Sequence, residues 1–202
     1  EFMAENNVTR SDCIAALGGG IVGDVSGFAA ASYLRGIDFI QIPTTFLASI
    51  DSSVGGKTGV NLKHGKNLAG AFYQPKSVIC DIETFDTLPE ENFKEGVAEA
   101  IKYGIICDKE LFHTLSFEKE WDLIKVIQRC VAIKAEIVAE DEFDTGKEPS
   151  VAENVIEAKS VLEIPESLWT NMSFKYNLTE FCTCIKPFSI EYFFTKKGYE
   201  TV

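Results

Sequence analysis

Apolar residues come in short runs closed by glycine or proline through the first part of the chain, and in longer periodic stretches after residue 90. Ser11 to Leu17 is an apolar run that ends at Gly18-Gly19-Gly20, and Ile21 to Leu34 continues with small and apolar residues that suit a buried helix. Phe39 to Ile42 predicts a second strand closed by Pro43, Thr44 to Ile50 the next helical turn, and Lys76 to Cys80 a third strand with Asp81 at its end. Strands alternating with helices imply an α/β fold with a parallel sheet, whose ligands sit beyond the carboxyl ends of the strands. After Pro89 the period lengthens. Glu91 to Ile106 and Lys119 to Glu142 read as long amphipathic helices, the second with Trp121, Ile124, Ile127, Val131 and Val138 near helical spacing. The pattern therefore divides the chain into an α/β part over residues 1–82, a helical part over 83–148 and a tail over 149–202. The tail holds nine aromatic side chains but one of the 15 glycines, so it is compositionally distinct, and its fold is not legible in the pattern.

Composition narrows the partners. The 202 residues carry 31 Asp and Glu against 19 Lys and Arg, a net charge of −12. A chain this acidic repels phosphate backbones and anionic lipid, which argues against nucleic acid or a membrane as the main partner. A mean hydropathy of +0.03 suits a folded soluble domain, and neither a membrane-length apolar run nor a signal peptide is evident. The six cysteines are scattered without paired spacing, which reads as mostly buried free thiols of a cytoplasmic protein. Glu1 and Phe2, ahead of Met3, read as cloning residues.

Three groups of residues carry candidate chemistry. Gly18-Gly19-Gly20-Ile21-Val22-Gly23 satisfies G-x-G-x-x-G between a strand and a helix, where glycine lets the main chain approach a pyrophosphate and the helix N-terminus faces it. Asp24 is placed in the first helical turn, able to accept hydrogen bonds from a bound nucleotide; Asp38 lies near the spacing of a ribose-binding acid but precedes the second strand rather than ending it. Asp51-Ser52-Ser53-Val54-Gly55-Gly56-Lys57-Thr58 has a carboxylate where a nucleotide-hydrolase phosphate loop needs glycine, which opposes triphosphate binding. It reads instead as a flexible loop that presents Asp51 and Lys57, with Lys66 and Asn67 beyond, a set able to hold a polyhydroxylated phosphorylated anion. Glu95, Glu99 and Lys102 share one helix face at i, i+4 and i+7, flanked by small residues. His64 and His113 read as structural or exposed, and two histidines do not make a histidine-rich metal site.

The segments Ala16 to Gly36, Phe39 to Asn61, Gly65 to Lys76 and Glu95 to Gly104, in this order and spacing, resemble the 3-dehydroquinate synthase family, and the likeness runs from Ser11 to Lys147. The resemblance implies part of a Rossmann-like parallel sheet followed by an α-helical region. It also implies a lyase of the shikimate pathway that uses NAD and zinc or cobalt, takes a sugar phosphate, 3-deoxy-arabino-heptulosonate 7-phosphate, and works as a cytoplasmic homodimer. Gly18, Gly19, Gly20 and Asp24 match the family's cofactor turn, and Thr44, Thr45, Leu47, Thr87 and Leu88 its other cofactor contacts. Asp51, Lys57, Lys66 and Asn67 match positions around nicotinamide and substrate, Glu99 the metal-ligating glutamate and Lys102 the substrate lysine. Arg35 matches an arginine that reaches the phosphate in the partner subunit's site. The family's other two metal ligands are histidines of later helices, one in N-x-G-H-T-x-G-H, and nothing after Lys147 matches that pattern. Its amino-terminal strands are not matched either, so the chain is expected to be a fragment or aberrantly ended form, impaired by itself. Related sugar-phosphate cyclases, of deoxy-inosose or valiolone synthase type, and a non-catalytic NAD-binding or dimerisation module are the competing readings.

Overall fold

A computed structural model describes residues 1–118, 120–143 and 145, and the expectation for the tail lies outside them. Two compact units divide at Phe93 and Lys94.

In the first unit a short helix α1 (Phe2–Glu5) precedes strand β1 (Cys13–Gly18), helix α2 (Gly20–Ser32) and strand β2 (Asp38–Pro43). The strands β1, β2 and β5 (Ser77–Val78) form a parallel sheet in the order β1-β2-β5, with Cys13 opposite Asp38 and Gly18 opposite Pro43. Parallel pairing needs a crossover, and α2 supplies it. Phe39 is fully buried against Ala30 of α2 and Ile37, and its ring stacks on Tyr73 at 5.8 Å between centroids. The Tyr73 hydroxyl donates to the Ile37 carbonyl at 2.9 Å, so this aromatic pair is tied to the main chain as well as packed. Gly27 of α2 lets the helix come close: a Cβ there would lie 2.4 Å from Thr58 Cγ2.

The flexible loop expected to present Asp51 and Lys57 gives way at Lys57 to an antiparallel hairpin of β3 (Lys57–Leu62) and β4 (Gly65–Phe72), which also carries Lys66 and Asn67, is closed by Lys63 and His64 and is irregular between Val60 and Leu62. The Thr58 hydroxyl donates to the Ala71 carbonyl at 2.7 Å, a cross-strand tie. The helical turn after β2 exists, and its last part is a π-turn at Ala48–Ser52. The expected third strand shortens to β5, and a 3-10 turn follows at Ile82–Thr87, capped by Asp81, whose carboxylate accepts from the Glu83 N–H. The expected buried character of α2 is only partial. Gly23, Gly27 and Ala30 are buried, whereas Ile21 and Val25 are exposed, because the face that packs on the sheet is the small-residue one.

The long helix α3 (Glu90–Cys107) runs across the boundary. In the second unit a helix not foreseen, α4 (Lys109–Phe117), precedes α5 (Leu123–Glu140). The expected helix over 119–142 therefore starts later, and Trp121 lies outside it. Aspartate caps set both starts: Asp108 accepts from the Leu111 N–H, and Asp122 from the N–H groups of Ile124 and Lys125. Asp108 also pairs through its second oxygen with Arg129 of α5, and its own N–H donates to the Gly104 carbonyl of α3. His113 falls inside α4, exposed, with its ring against Phe117. Among the described cysteines Cys107 and Cys130 are buried, while Cys13 and Cys80 are exposed, so burial holds for half of them.

Candidate functional site

The glycine turn closes β1 and opens α2. Gly18 is its last strand residue, with φ +155°, and a Cβ there would lie 2.7 Å from Val22 Cγ2, so a side chain is disfavoured both by conformation and by space. Gly19 stands at the N-cap in an extended conformation with no side-chain cap, and its carbonyl receives the N–H groups of Val22 and Gly23. The earlier amides of such a turn have no partner within the helix, and a helix N-terminus of this kind suits an anion. Thr44, just past β2, donates its N–H to the Gly18 carbonyl at 3.0 Å, which fixes the turn against the neighbouring strand end. Thr45 packs beside Gly19, and its hydroxyl accepts the Ala48 N–H at 3.1 Å, so it starts the short helical segment that carries Leu47 and leads into Asp51.

Asp24 lies in the second turn of α2, one turn later than expected. It is half-buried and sits in the field of Asp51. Burial first, and the Asp51 charge second, raise its carboxyl above the ordinary aspartate value of 3.8. The fold thus gathers Gly18, Gly19, Gly20, Asp24, Thr44, Thr45 and Asp51 at the ends of β1 and β2. Two residues without a motif join them: Ser52, whose hydroxyl is 3.0 Å from where a Gly20 Cβ would be, and buried Gln41, whose side-chain oxygen is 3.0 Å from a Gly23 Cβ position. A buried glutamine inside an apolar strand was the available signal for the second; Ser52 had none beyond its neighbour Asp51.

The other expected positions stand on later elements. Lys57 opens β3, and Lys66 and Asn67 stand exposed in β4, where Asn67 takes φ +54° and its N–H donates to Asn61 Oδ1 at 2.9 Å. Thr87 and Leu88 end the 3-10 turn, where the Leu88 N–H donates to the Phe85 carbonyl. Arg35 is exposed at the far end of α2, about 20 Å from the glycine turn by helix rise, on a left-handed pair with Leu34.

In the second unit Glu99 is 3% exposed, and its Oε1 accepts a hydrogen bond from the Lys102 ammonium one turn on. The third member of the expected face, Glu95, is exposed. Cys130 lies in the same interior, and its thiol is pushed up to about 12, first by burial and then by the charges of Glu99 and Asp108, so it stays protonated.

The two cofactor groups fare differently on this chemistry. The side-chain-free turn, with its main-chain donors and flanking carboxylate, fits a dinucleotide. A catalytic metal does not fit the described residues, since no three His, Cys, Asp or Glu side chains among them gather to hold one.

Comparison with known proteins settles the family. The family model for the N-terminal part of 3-dehydroquinate synthase matches residues 1–95, and that for its C-terminal part residues 96–151. The chain belongs to the 3-dehydroquinate synthase family. The 3-dehydroquinate synthase of Alkaliphilus metalliredigens is 53% identical over 154 residues, covering 72% of this chain and 43% of its own length. That of Aliivibrio fischeri is 56% identical over 152 residues, covering 72% and 42%. The chain therefore spans less than half the length of these 3-dehydroquinate synthases. In fold it is similar to the valiolone synthase ValA of Streptomyces hygroscopicus, solved with NAD+ and Zn2+, at TM-score 0.70 and 20% identity, covering 98% of this chain and 68% of that one. It is likewise similar to 2-deoxy-scyllo-inosose synthase, solved with NAD+ and Co2+, at TM-score 0.66 and 23% identity, covering 98% and 65%. Among the described residues no helix is long and apolar enough to cross a membrane.

Proposed function

We propose that this chain is the dinucleotide-binding and early helical part of a 3-dehydroquinate synthase, a carbon–oxygen lyase that converts 3-deoxy-arabino-heptulosonate 7-phosphate to 3-dehydroquinate with release of phosphate. The observation that carries the reading is the glycine turn between β1 and α2, with Asp24 and Asp51 beside it, within a chain that two family models match. NAD+, when bound, supplies reversible hydride acceptance, which makes a transient ketone and so acidifies the neighbouring C–H for elimination. The residues of this chain bind and orient. Gly18, Gly19 and Gly20 bring the main chain and the α2 N-terminus to the pyrophosphate. Thr44, Thr45, Leu47, Thr87 and Leu88 frame the nucleotide. Asp24 and Asp51 accept hydrogen bonds from nicotinamide and substrate hydroxyls, while Lys57, Lys66 and Asn67 present charge and an amide to the sugar phosphate. Arg35, at the opposite end of α2, serves a neighbouring subunit's phosphate in a cytoplasmic homodimer. Glu99 is the family's metal-ligating glutamate and Lys102 its substrate lysine; the family's N-x-G-H-T-x-G-H pattern is not matched after Lys147, which supports impaired turnover by the chain alone.

The test is NAD+ binding and phosphate release by the 202-residue chain, with zinc supplied and a chelator control. Saturable NAD+ binding without chelator-sensitive phosphate release is the expected result. Absence of NAD+ binding by the folded chain would overturn the dinucleotide reading, and chelator-sensitive release would overturn the impairment.

A further inference from the structure

Glu99 presents a problem that its neighbours must solve. A carboxylate 3% exposed on a helix whose residues from Gly96 to Ile101 are all buried has lost its water and needs a positive charge at hydrogen-bond range. Where a zinc ion solves this in proteins, three protein ligands are usual, and the described residues assemble no such group. Lys102 stands one turn further along α3, on the same face, with its side chain largely buried and its ammonium on Glu99 Oε1. The same ammonium lies 5.0 Å from the centre of the buried Tyr103 ring, which offers a second favourable contact to a desolvated cation.

We propose that Lys102 is the resident cation of Glu99: its ammonium occupies the carboxylate that the family assigns to a divalent metal, so this chain folds around Glu99 without metal, and zinc reaches Glu99 only by displacing Lys102. The proposal rests on the family reading of Glu99 as a ligand. It assigns Lys102 a role as counter-ion, separate from any contact with substrate.

The whole chain, stripped with a chelator, is melted with and without added zinc as wild type, Glu99→Gln, Lys102→Met and the double variant. Wild type is expected to melt at the same temperature with and without zinc. Each single variant melts lower, and the double recovers most of that loss, since removing both charges leaves neither one stranded. Zinc binds Lys102→Met at least about tenfold more tightly than wild type, a gain that the double variant lacks. A zinc-dependent rise in the wild-type melting point that Glu99→Gln abolishes would overturn the proposal, and this arm needs no Lys102 variant to fold. Additive losses in the double variant would overturn it equally. NAD+ titration of the same wild-type sample reports on the dinucleotide reading separately.

Discussion

The two units put their polar chemistry on opposite footings. In Glu1–Phe93 the site is mostly main chain: a turn stripped of side chains at a strand end, two carboxylates in partial contact with water, and apolar residues such as Leu17 and Ile21 left exposed beside it. From Lys94 onward the buried polar chemistry is carried by side chains, foremost the Glu99–Lys102 pair of α3. A site made of main chain depends on what is missing from its residues, so an added methyl group breaks it. A site made of a desolvated pair depends on charge balance, and the scaffold around it on close helix packing.

The largest expected effect tests that packing. A Cβ on Gly104 would lie 2.8 Å from Phe112 N and Cα, main-chain atoms of α4 that cannot step aside as a side chain can. Gly104→Ala is expected to cost about 1–3 kcal/mol in urea unfolding; a loss within about 0.5 kcal/mol would remove the close approach of α3 and α4 from the account. Next comes Gly18→Ala. Here the added methyl meets Val22 Cγ2 at 2.7 Å and Cβ at 2.8 Å, atoms of a stiff β-branched side chain, so stability falls by about 1–2 kcal/mol while NAD+ affinity falls at least about tenfold by calorimetry. Equal affinity in the variant would break the contrast between the two units. The smallest effect is electrostatic. Because the native Asp24 carboxyl is raised, the folded state binds its proton more tightly than the unfolded one. The cost of ionising it is absent below the ordinary aspartate range and sets in as pH rises through the raised native value. Asp24→Asn should therefore melt slightly higher than wild type near neutral pH and equal to it near about pH 3. A lower melting point at neutral pH would mean that the surroundings stabilise the Asp24 charge on balance, against the effect of burial and Asp51.

What could be read from sequence tracks where the signal is local. The strand ends at Gly18 and Pro43 were legible because glycine and proline punctuate the main chain whatever surrounds them. The hairpin was not: its turn, Lys63-His64, lacks the Asn-Gly or Asp-Gly signature, and β4 exposes five of its eight residues, so no buried alternation marks it. Helix α4 was missed because the expected helices, at 91–106 and 119–142, left the short stretch between them unassigned, although the capping aspartates, Asp108 and Asp122, were in plain view. At the site, the glycine motif and the Glu99–Lys102 spacing could be read directly. The approach of Asp24 to Asp51 could not, since 27 residues separate them and only the paired ends of β1 and β2 bring them near.

Asp108 has a reach that its single position in the sequence conceals. Its N–H engages the last turn of α3, one carboxylate oxygen starts α4, and the other holds Arg129 in the middle of α5. In native-state hydrogen exchange, elements that share such a clasp open as one foldon rather than fraying one by one. The amides at the start of α4 and those around Arg129 would therefore exchange through a common opening, and the helical region would lose its protection in a single step.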